Sequence, residues 1–560
     1  MKVSGPWEVV LVAAVCICAF FVNNQVITPD IMESRNIIAA REMVYDGHWI
    51  TPTMNGDLRL EKPPLPTWLT AVAEIASPDN VALQRAMAGL AALLLVFYFW
   101  RFARKVLDID PLAPTLLLVT CYNVILMGRT ASWDIYCHAF MMGGIYYLAR
   151  GLSGKSRQWG HFLASGVFIG LSIMSKGPVS LYALFLPFVL SYPFFYRHPM
   201  RGKTWPLVTM ILLALAIGTW WFIYIHLTQT EALEAVALKE SSSWINHNVR
   251  PWWYYWQFFL ESGAWSLLLL TAMFLPLFNP QRRKSRRWLF PMCWMLASLV
   301  LLSLLPEKKT RYLLPLLIPA CYVMGVMILW WKQSFAHAKT AAKSDRVMFR
   351  INTYLMGTVV AIVPVAAWMF LLQPGYISIT VWILFSIITI AIAAYLVMAA
   401  VKLRPMHLLY GVTALFAAAE CFAMPMLGNV INNPDMKSIR ATRTIKELEG
   451  IPFYHIDTVP LRIELVYAAH RNIRPVSPDS LRAKLPCALL THEPITEALP
   501  PSKLQGIEAI QIDRYDDNRR PKTNKRYGTH FIYYVTFLRD SAGRRPALSR
   551  PPALMPQRLW

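Results

Sequence analysis

Long apolar segments dominate this sequence and limit its fold more than any other feature. Thirteen runs of roughly 17 to 25 mostly apolar residues occur, the length that an α-helix needs to cross a hydrocarbon core of about 30 Å. They lie near 7–26, 81–100, 110–127, 134–149, 160–175, 179–196, 207–226, 258–278, 288–305, 312–331, 354–373, 376–400 and 405–426. Since 56% of the residues are hydrophobic and 16% are charged, a chain of soluble domains is excluded. The sequence predicts an α-helical polytopic membrane protein with about thirteen transmembrane helices.

The formal net charge of +23 indicates membrane topology and not nucleic-acid binding, because Lys and Arg occur in short clusters between the apolar runs. Six clusters fall in alternate loops, at 101–105, 149–157, 196–203, 281–287, 332–346 and 402–404. Under the positive-inside rule these loops are cytoplasmic. The N-terminus is then predicted to be cytoplasmic, the first apolar segment is read as a retained helix, and the tail after residue 427 is predicted on the opposite side.

The predicted outer side contains two long loops, 27–80 and 227–257, and the tail. The tail has β-like stretches separated by helix-like segments such as "MKSIRATRTIKELEG" (436–450). The β-like stretches are "IPFYHID", "CALLTHE", "GIEAIQI" and "HFIYYVTFL". We therefore expect a transmembrane catalytic domain over 1–426 and a small α/β domain over 427–560 that ends in a disordered tail. Seven of the eight cysteines lie in or next to apolar segments, so no disulfide framework is predicted.

The first outer loop begins with a helix signal that contains two carboxylates. Asp30 precedes Glu33 by three positions, and Ile37, Ile38 and Met43 follow on one helical face, which predicts an amphipathic helix at the membrane surface. A capping box formed by Asp30 and Glu33 would explain both carboxylates without chemistry. The alternative is that these acids belong to a catalytic site.

The stretch "RLEKPPLPTW" (59–68) follows in the same loop. Its prolines favour an extended path, so Glu61 and Lys62 are expected on a stiff segment close to the membrane plane. Lys62 is then either a lysine that reaches the interface with its ammonium group or a fixed cation that faces a phosphate.

Further charges are predicted on the same outer rim. In "GRTASWD" (128–134), Asp134 lies in the first turn of a helix, where the helix dipole stabilises it, and Arg129 adds a cation. Arg85 lies inside the start of an apolar helix, a position where ionisable residues usually have a function. Lys176 follows in "SKGP".

The turn "PEKKTRYLLP" (306–315) is basic although the topology places it outside. Lys308, Lys309 and Arg311, followed by Tyr312, would extend the cationic rim. Such a rim around a few carboxylates suits an anionic lipid headgroup.

The aromatic segment "WINHNVRPWWYYWQFF" (244–259) is typical of an interfacial belt, although His247 and Arg250 could reach a site. His247 with Glu61 could bind a divalent ion, but two ligands without a supporting spacing are a weak signal, so no metal ligand is assigned. The sequence contains no P-loop, dinucleotide fingerprint, paired-cysteine motif or G-x-S-x-G. The absence of these motifs fits an enzyme whose donor substrate is already activated when it reaches the active site.

Six blocks carry a family resemblance across about residues 28–320: "ESRNIIAAREM", "GHWITPTMNGDLRLEKPPLPTW", "GRTASWD", "SKGP", "HNVRPWWYY" and "KTRYLLPLLIP". In these blocks the sequence resembles GT-C membrane glycosyltransferases that use polyprenyl-phosphate-linked sugars, in the branch of aminoarabinose lipid A transferases and protein O-mannosyltransferases. The resemblance implies transfer of one sugar from an undecaprenyl-type phosphate carrier, by direct displacement with inversion, at the periplasmic face of a bacterial inner membrane.

The resemblance also implies residue roles. Lys62 would bind the donor phosphate, and Asp134 would be the second important carboxylate. The family usually has Asp-Glu before the Ala-Arg-Glu-Met segment, and here Met32 replaces that Asp and Glu33 matches the Glu. Either Glu33 takes the acidic role or Asp30 reaches in. The expected sites are catalytic Glu33, Asp134 and Asp30; donor-phosphate-binding Lys62, Arg85, Arg129, Lys309 and Arg311; and substrate-binding Glu61, Lys176, His247, Arg250 and Tyr312.

The acceptor is expected to be lipid A or a related envelope glycolipid, with a protein acceptor as the alternative. A flippase for a lipid-linked sugar is a third hypothesis, but it predicts charges near helix midpoints and repeated halves, whereas the unusual charges here gather at one rim. The expected partners are the polyprenyl-phosphate-sugar donor, the acceptor and membrane lipids. No nucleic acid is expected, and we predict a monomer. No cofactor is assigned, and a divalent metal ion is left as an open alternative.

Overall fold

The computed structural model describes residues 5–154, 158–246, 248–336, 341–522, 524–525 and 527–541. These residues form two compact units. The first unit comprises described residues within 1–24, 60–66 and 85–426. The second comprises those within 25–59, 67–84 and 427–560. The chain thus changes unit near the predicted boundary at 426, and most of the first outer loop is grouped with the tail.

The described chain is mostly helical. Up to residue 228 its α-helices are α1 (Pro6–Phe20), α2 (Ile31–Tyr45), α3 (Leu65–Ala76), α4 (Val81–Phe102), α5 (Leu112–Val119), α6 (Tyr122–Gly128), α7 (Asp134–Ser153), α8 (Trp159–Lys176), α9 (Leu186–Phe195) and α10 (Thr204–Thr228). They continue as α11 (Thr230–Asn246), α12 (Ser266–Phe274), α13 (Pro280–Arg283), α14 (Arg286–Leu304), α15 (Leu314–Ala336), α16 (Lys343–Ala367), α17 (Ile379–Val401), α18 (Pro405–Ala418) and α19 (Met424–Ile431). The tail adds α20 (Ile463–Ala469), α21 (Ile495–Ala498) and α22 (Pro501–Leu504).

Eight helical segments of the described chain are long and apolar enough to cross a membrane. They are Val81–Leu107, Thr204–Thr228, Trp252–Phe278, Arg286–Leu304, Thr310–Ala336, Lys343–Leu372, Ile379–Val401 and Pro405–Gly428. Pro6–Phe20 and Leu181–Phe195 are shorter apolar helices. The chain is therefore a multi-pass helical membrane protein, and the count of thirteen spans stays a prediction.

Helix α8 packs closely between α7 and α10 because glycines line its contacts. A Cβ atom on Gly144 would lie 2.7 Å from Ile169 Cγ1, and one on Gly166 would lie 2.7 Å from the Met210 carbonyl oxygen. Small residues at such positions let helix backbones approach each other in a membrane protein. The antiparallel packing of α7 and α8 brings Asp134, at the start of α7, beside Lys176, at the end of α8.

The second unit contains a five-stranded mixed sheet in the order β4-β3-β5-β7-β6. Its strands are β3 (Phe453–Ile456), β4 (Ile473–Val476), β5 (Cys487–Thr491), β6 (Ile507–Asp516) and β7 (Ile532–Asp540), and the first loop has a two-stranded hairpin of β1 (Thr53–Met54) and β2 (Asp57–Leu58). Strand β3 pairs in parallel with β4 and β5, whereas β7 is antiparallel to β5 and β6. The four β-like stretches of the sequence each contain or overlap one of these strands.

Residues 436–450 have a helix-like sequence, but they do not form a continuous α-helix. They form two short 3-10 helices, Ile439–Thr444 and Lys446–Leu448. Ile439 and Leu448 are fully buried in the core of the second unit, together with Ile38 of α2 and Leu465 of α20. Packing of these two side chains therefore determines the local conformation, and it overrides helix propensity.

A buried ion network joins first-loop and tail residues inside the second unit. Asp79 pairs with Arg41, with Arg440 at 2.8 Å and with Arg443 at 2.6 Å. Burial opposes the ionisation of Asp79, but its contacts with His470, Arg41 and Arg443 hold the pKa of this carboxyl well below its usual range. The network therefore keeps a charged carboxylate among several cations.

Candidate functional site

Asp134 and Lys176 form the most deeply buried ion pair among the predicted site residues. Their side chains are 3% and 8% exposed, respectively. A buried charge is costly unless a partner of opposite sign stays in contact with it, so each residue depends on the other. Both were predicted to belong to the site, but no local pattern indicated that they would pair.

Tyr312 lies beside three of the predicted cations. Its ring centroid is 5.2 Å from Lys176 Nζ, 5.7 Å from Lys309 Nζ and 5.7 Å from Arg311 Cζ. Cations at this distance from an aromatic ring are attracted by its quadrupole. The structure thus joins residues from three separate turns into one group, which we call the Tyr312 cluster: Asp134, Lys176, Glu307, Lys309, Arg311 and Tyr312.

Glu307 was not predicted and completes the Tyr312 cluster. Its carboxylate pairs with Lys309, and it accepts a hydrogen bond of 3.4 Å from the Tyr312 hydroxyl. Tyr255 fixes the turn, because its hydroxyl accepts from Lys309 N at 2.9 Å and donates to Lys309 O at 3.1 Å. The cluster holds three cations and two carboxylates, so it keeps a formal excess of positive charge.

Lys62 is held near a carboxylate of the second long outer loop. Its Nζ lies 3.7 Å from Glu240 Oε2 on α11, and both side chains are partly exposed. The adjacent Glu61 buries one carboxylate oxygen, Oε2, that has no hydrogen-bond partner within the described ranges. Buried polar atoms are normally paired, so this oxygen could accept a donor or a cation from a ligand.

Arg129 and Arg85 bind the end of α1. Arg129 pairs with Glu420 at 2.9 Å and donates to the carbonyl oxygens of Ala19 at 3.0 Å and Val22 at 2.7 Å. Arg85 donates to the carbonyl oxygen of Asn24. Carbonyl groups in the last turn of a helix lack intrahelical partners, so Arg129 satisfies that of Ala19. The carbonyls of Val22 and Asn24 belong to the turn that follows α1. Donor-phosphate binding by Arg129 and Arg85 stays a prediction.

The capping box predicted for α2 is confirmed. The Asp30 carboxylate accepts from Met32 N at 2.8 Å and Glu33 N at 2.9 Å, and the Glu33 carboxylate accepts from Asp30 N at 3.3 Å. Both carboxylates also interact electrostatically with Arg519, a tail residue of the same unit that the sequence did not suggest. A catalytic role of Asp30 or Glu33 stays a prediction.

Lys308 supports the basic turn. Its ammonium group is buried and donates to the carbonyl oxygens of Leu305 and, at 3.2 Å, Arg250. Burial lowers the pKa of Lys308. The Arg250 guanidinium lies 5.9 Å from the Tyr254 ring centroid. His247 lies outside the described residues, so its role in substrate binding stays a prediction.

A divalent metal ion bound by Glu61 and His247 was left as an open alternative by the sequence. In the described part of the chain a different group, Glu42, Asp46 and His48, places three ligand atoms within 4.8 Å of one another. Glu42 already accepts hydrogen bonds from Thr53 Oγ1 and Gly56 N. Hydrogen bonding within the loop therefore accounts for part of this arrangement, and we assign no metal ion to it.

Comparison with known proteins supports the resemblance. The family described as dolichyl-phosphate-mannose-protein mannosyltransferase matches residues 61–224. An undecaprenyl phosphate-alpha-4-amino-4-deoxy-L-arabinose arabinosyl transferase 1 of Pseudomonas fluorescens is 23% identical over 317 residues, covering 53% of each chain. The Aeromonas hydrophila transferase of the same substrate name is 26% identical over 353 residues, covering 59% of each chain. The chain thus spans about half the length of the curated relatives that it matches.

Solved structures extend the likeness to the whole fold. ArnT from Cupriavidus metallidurans bound to undecaprenyl phosphate has a TM-score of 0.64 at 18% identity, covering 95% of this chain and 98% of that chain. The apo state of the same protein has a TM-score of 0.63 at 17% identity, covering 94% and 97%. The family match, the curated relatives and the ArnT fold together confirm the resemblance of this chain to the GT-C glycosyltransferase superfamily.

Proposed function

We propose that this protein is an integral membrane glycosyltransferase that moves a single sugar from an undecaprenyl or other polyisoprenyl phosphate to lipid A or a related envelope glycolipid. The observation that carries the proposal is the Tyr312 cluster, in which three cations surround one phenol beside a buried carboxylate. Support comes from relatives named as undecaprenyl phosphate-aminoarabinose transferases and from ArnT, whose structure is described as bound to undecaprenyl phosphate.

In this proposal the chain crosses a bacterial inner membrane about thirteen times. Residues 1–426 form the catalytic domain, and the reaction takes place on the periplasmic side. Residues 427–560 contribute a small periplasmic α/β domain, and the protein acts as a monomer. The occurrence of six basic clusters in alternate loops and the sheet of the tail support this arrangement.

The chemistry needs fixed positive charge where the leaving phosphate gains negative charge. Phosphate is already a good leaving group, so a general acid is not required. Lys62, Lys309 and Arg311 would bind the donor phosphate, with Arg85 and Arg129 as further donor-binding cations. An attack from the opposite face of the sugar would invert its anomeric configuration.

The role of the carboxylates depends on the acceptor. A hydroxyl acceptor needs a base, for which Asp134, Glu33 and Asp30 are the candidates. A lipid phosphate is already ionised, so a carboxylate would orient it or stabilise the positive charge that develops on the sugar. Asp134 is held by Lys176, which makes it the best-placed carboxylate of the Tyr312 cluster.

A protein O-glycosyltransferase is the second candidate. The observation that favours it is the match of residues 61–224 to the family named for protein mannosyltransferases. The donor would be of the same class, and the acceptor would be a Ser or Thr hydroxyl.

A transfer assay with purified protein tests the proposal. Undecaprenyl phosphate-aminoarabinose is supplied with either a lipid A or a Ser/Thr-rich peptide, and products are measured by mass spectrometry. We expect sugar on lipid A and a loss of about 10²–10³ in kcat for Lys62→Met, comparable to removal of one group that stabilises developing charge. Lys402→Met, an exposed lysine in a predicted cytoplasmic cluster, is the matched control and should retain wild-type activity.

Two outcomes would argue against this assignment. Sugar on the peptide alone would favour the protein acceptor. Wild-type turnover by folded Lys62→Met would overturn the assignment of Lys62 to the donor phosphate.

A further inference from the structure

A cavity of about 350 Å³ lies at one end of the sheet in the second unit. Its lining includes His455, His492, Glu493, Tyr533, Leu461 and Leu499. His455 lies near the end of β3 and His492 directly follows β5, and these two strands are parallel neighbours. The carboxyl ends of parallel strands are where open α/β sheets usually bind ligands. The volume is at the lower end of the range for small-molecule sites.

The hydrogen bonds of the two histidines define which ring nitrogen is free. His455 Nδ1 lies 3.0 Å from Ile456 O and 3.1 Å from Val459 O. His492 Nδ1 lies 2.9 Å from Ile532 O. Carbonyl oxygens only accept, so each Nδ1 carries the proton, and in the neutral ring Nε2 is an acceptor. Burial lowers the pKa of His455, which favours the neutral form of that ring.

The rest of the lining is largely aliphatic, with Tyr533 as an aromatic member. The His492 ring packs against Tyr533 with ring centroids 4.3 Å apart and planes at 36°. Leu461, Leu490 and Leu499 add apolar surface, and Glu493 adds another acceptor. A fitting ligand would therefore present several hydroxyl donors on its edge and carbon-bound hydrogens on its face.

We propose that this cavity binds a monosaccharide-sized ring through hydroxyl groups that donate to His455 and His492. Pyranose rings combine a hydroxyl-rich edge with an apolar face, which matches acceptors beside an apolar, mostly aliphatic wall. This binding site is additional to the Tyr312 cluster, and it does not depend on the proposed transfer reaction.

Residue-resolved histidine modification tests the proposal. Diethyl pyrocarbonate acylates unprotonated imidazole nitrogen, and the rate at each histidine of the full-length protein is read by mass spectrometry. The probe is methyl α-D-glucopyranoside at millimolar concentrations, with glycerol as a control that has hydroxyl groups but no ring. At ten times Kd the sugar should slow acylation of His455 and His492 about tenfold. The exposed His530 should be unaffected.

Two variants complete the test. His492→Phe keeps the ring against Tyr533 but removes an acceptor, so sugar should protect His455 less. Ala498→Phe fills the cavity from its lining and should abolish protection, and its melting temperature reports whether it folds. Equal effects of the sugar on His455, His492 and His530 would overturn the proposal, as would undiminished protection of His455 in folded Ala498→Phe.

Discussion

Replacing Asp79 with Asn is expected to destabilise the second unit strongly. Asn keeps the size of the side chain but removes the charge that pairs with Arg41, Arg440 and Arg443. The Arg41 side chain is 2% exposed, so water cannot replace the lost carboxylate there. Removing one partner of a buried ion pair typically costs about 3–5 kcal/mol, and the buried Glu74 carboxylate, 3.9 Å from Arg41 Nε, compensates only part of the lost charge.

Native-state hydrogen exchange of the α2 amides measures this cost. Since about 1.4 kcal/mol corresponds to a tenfold change, exchange should accelerate by about two to four powers of ten. Asp57→Asn is the matched control, because Asp57 pairs with Arg474 at 2.9 Å in the same unit but is 74% exposed. Loss of that surface pair should cost less than about 1 kcal/mol. Equal, small accelerations in the two variants would show that the Asp79 network stabilises the unit no more than the exposed Asp57–Arg474 pair.

Two further perturbations act on the same unit. Burial lowers the pKa of His470 to about 4, whereas an unfolded histidine has a pKa of about 6.5. The folded state then binds fewer protons, so the free energy of unfolding should fall by about 3 kcal/mol as the pH drops from about 6.5 to 4. The melting temperature of His470→Gln should therefore depend less on pH than that of the wild-type protein. An equal pH dependence in the two proteins would contradict this prediction. Asp30→Ala should cost about 1 kcal/mol as a lost helix cap, whereas Asp30→Asn should cost little. Exchange of the first α2 amides reports this difference, and equal acceleration in both variants would show that the carboxylate charge matters beyond capping.

Features with local signals could be predicted from the sequence. The Asp30–Glu33 capping box requires only a three-residue spacing, and each β-like stretch of the tail combines β-branched or aromatic residues with nearby turns. The basic turn at 306–311 was recognised because its charge contradicts the topology rule. Lys309 and Arg311 from that turn do lie around Tyr312.

Features that depend on distant residues could not be predicted. Glu420 pairs with Arg129, and Arg519 interacts electrostatically with Asp30 and Glu33 of the capping box, although each partner lies hundreds of residues away in sequence. The apolar run 110–127 gave no sign of its break between α5 and α6. There Thr120 Oγ1 donates to Leu116 O at 2.6 Å and accepts from Trp265 Nε1 at 2.9 Å, a contact that only tertiary packing creates.

Lys62 and the Tyr312 cluster are proposed to bind the phosphate of an isoprenoid lipid. Native mass spectrometry of the purified protein with undecaprenyl phosphate, and with undecaprenol as the phosphate-free control, tests this binding most directly. We predict one bound undecaprenyl phosphate, little bound undecaprenol, and affinity at least about tenfold weaker in Lys62→Met, since a hydrogen bond to a charged group contributes about 1.5–3 kcal/mol. Equal binding of undecaprenol and undecaprenyl phosphate by the wild-type protein would contradict the account.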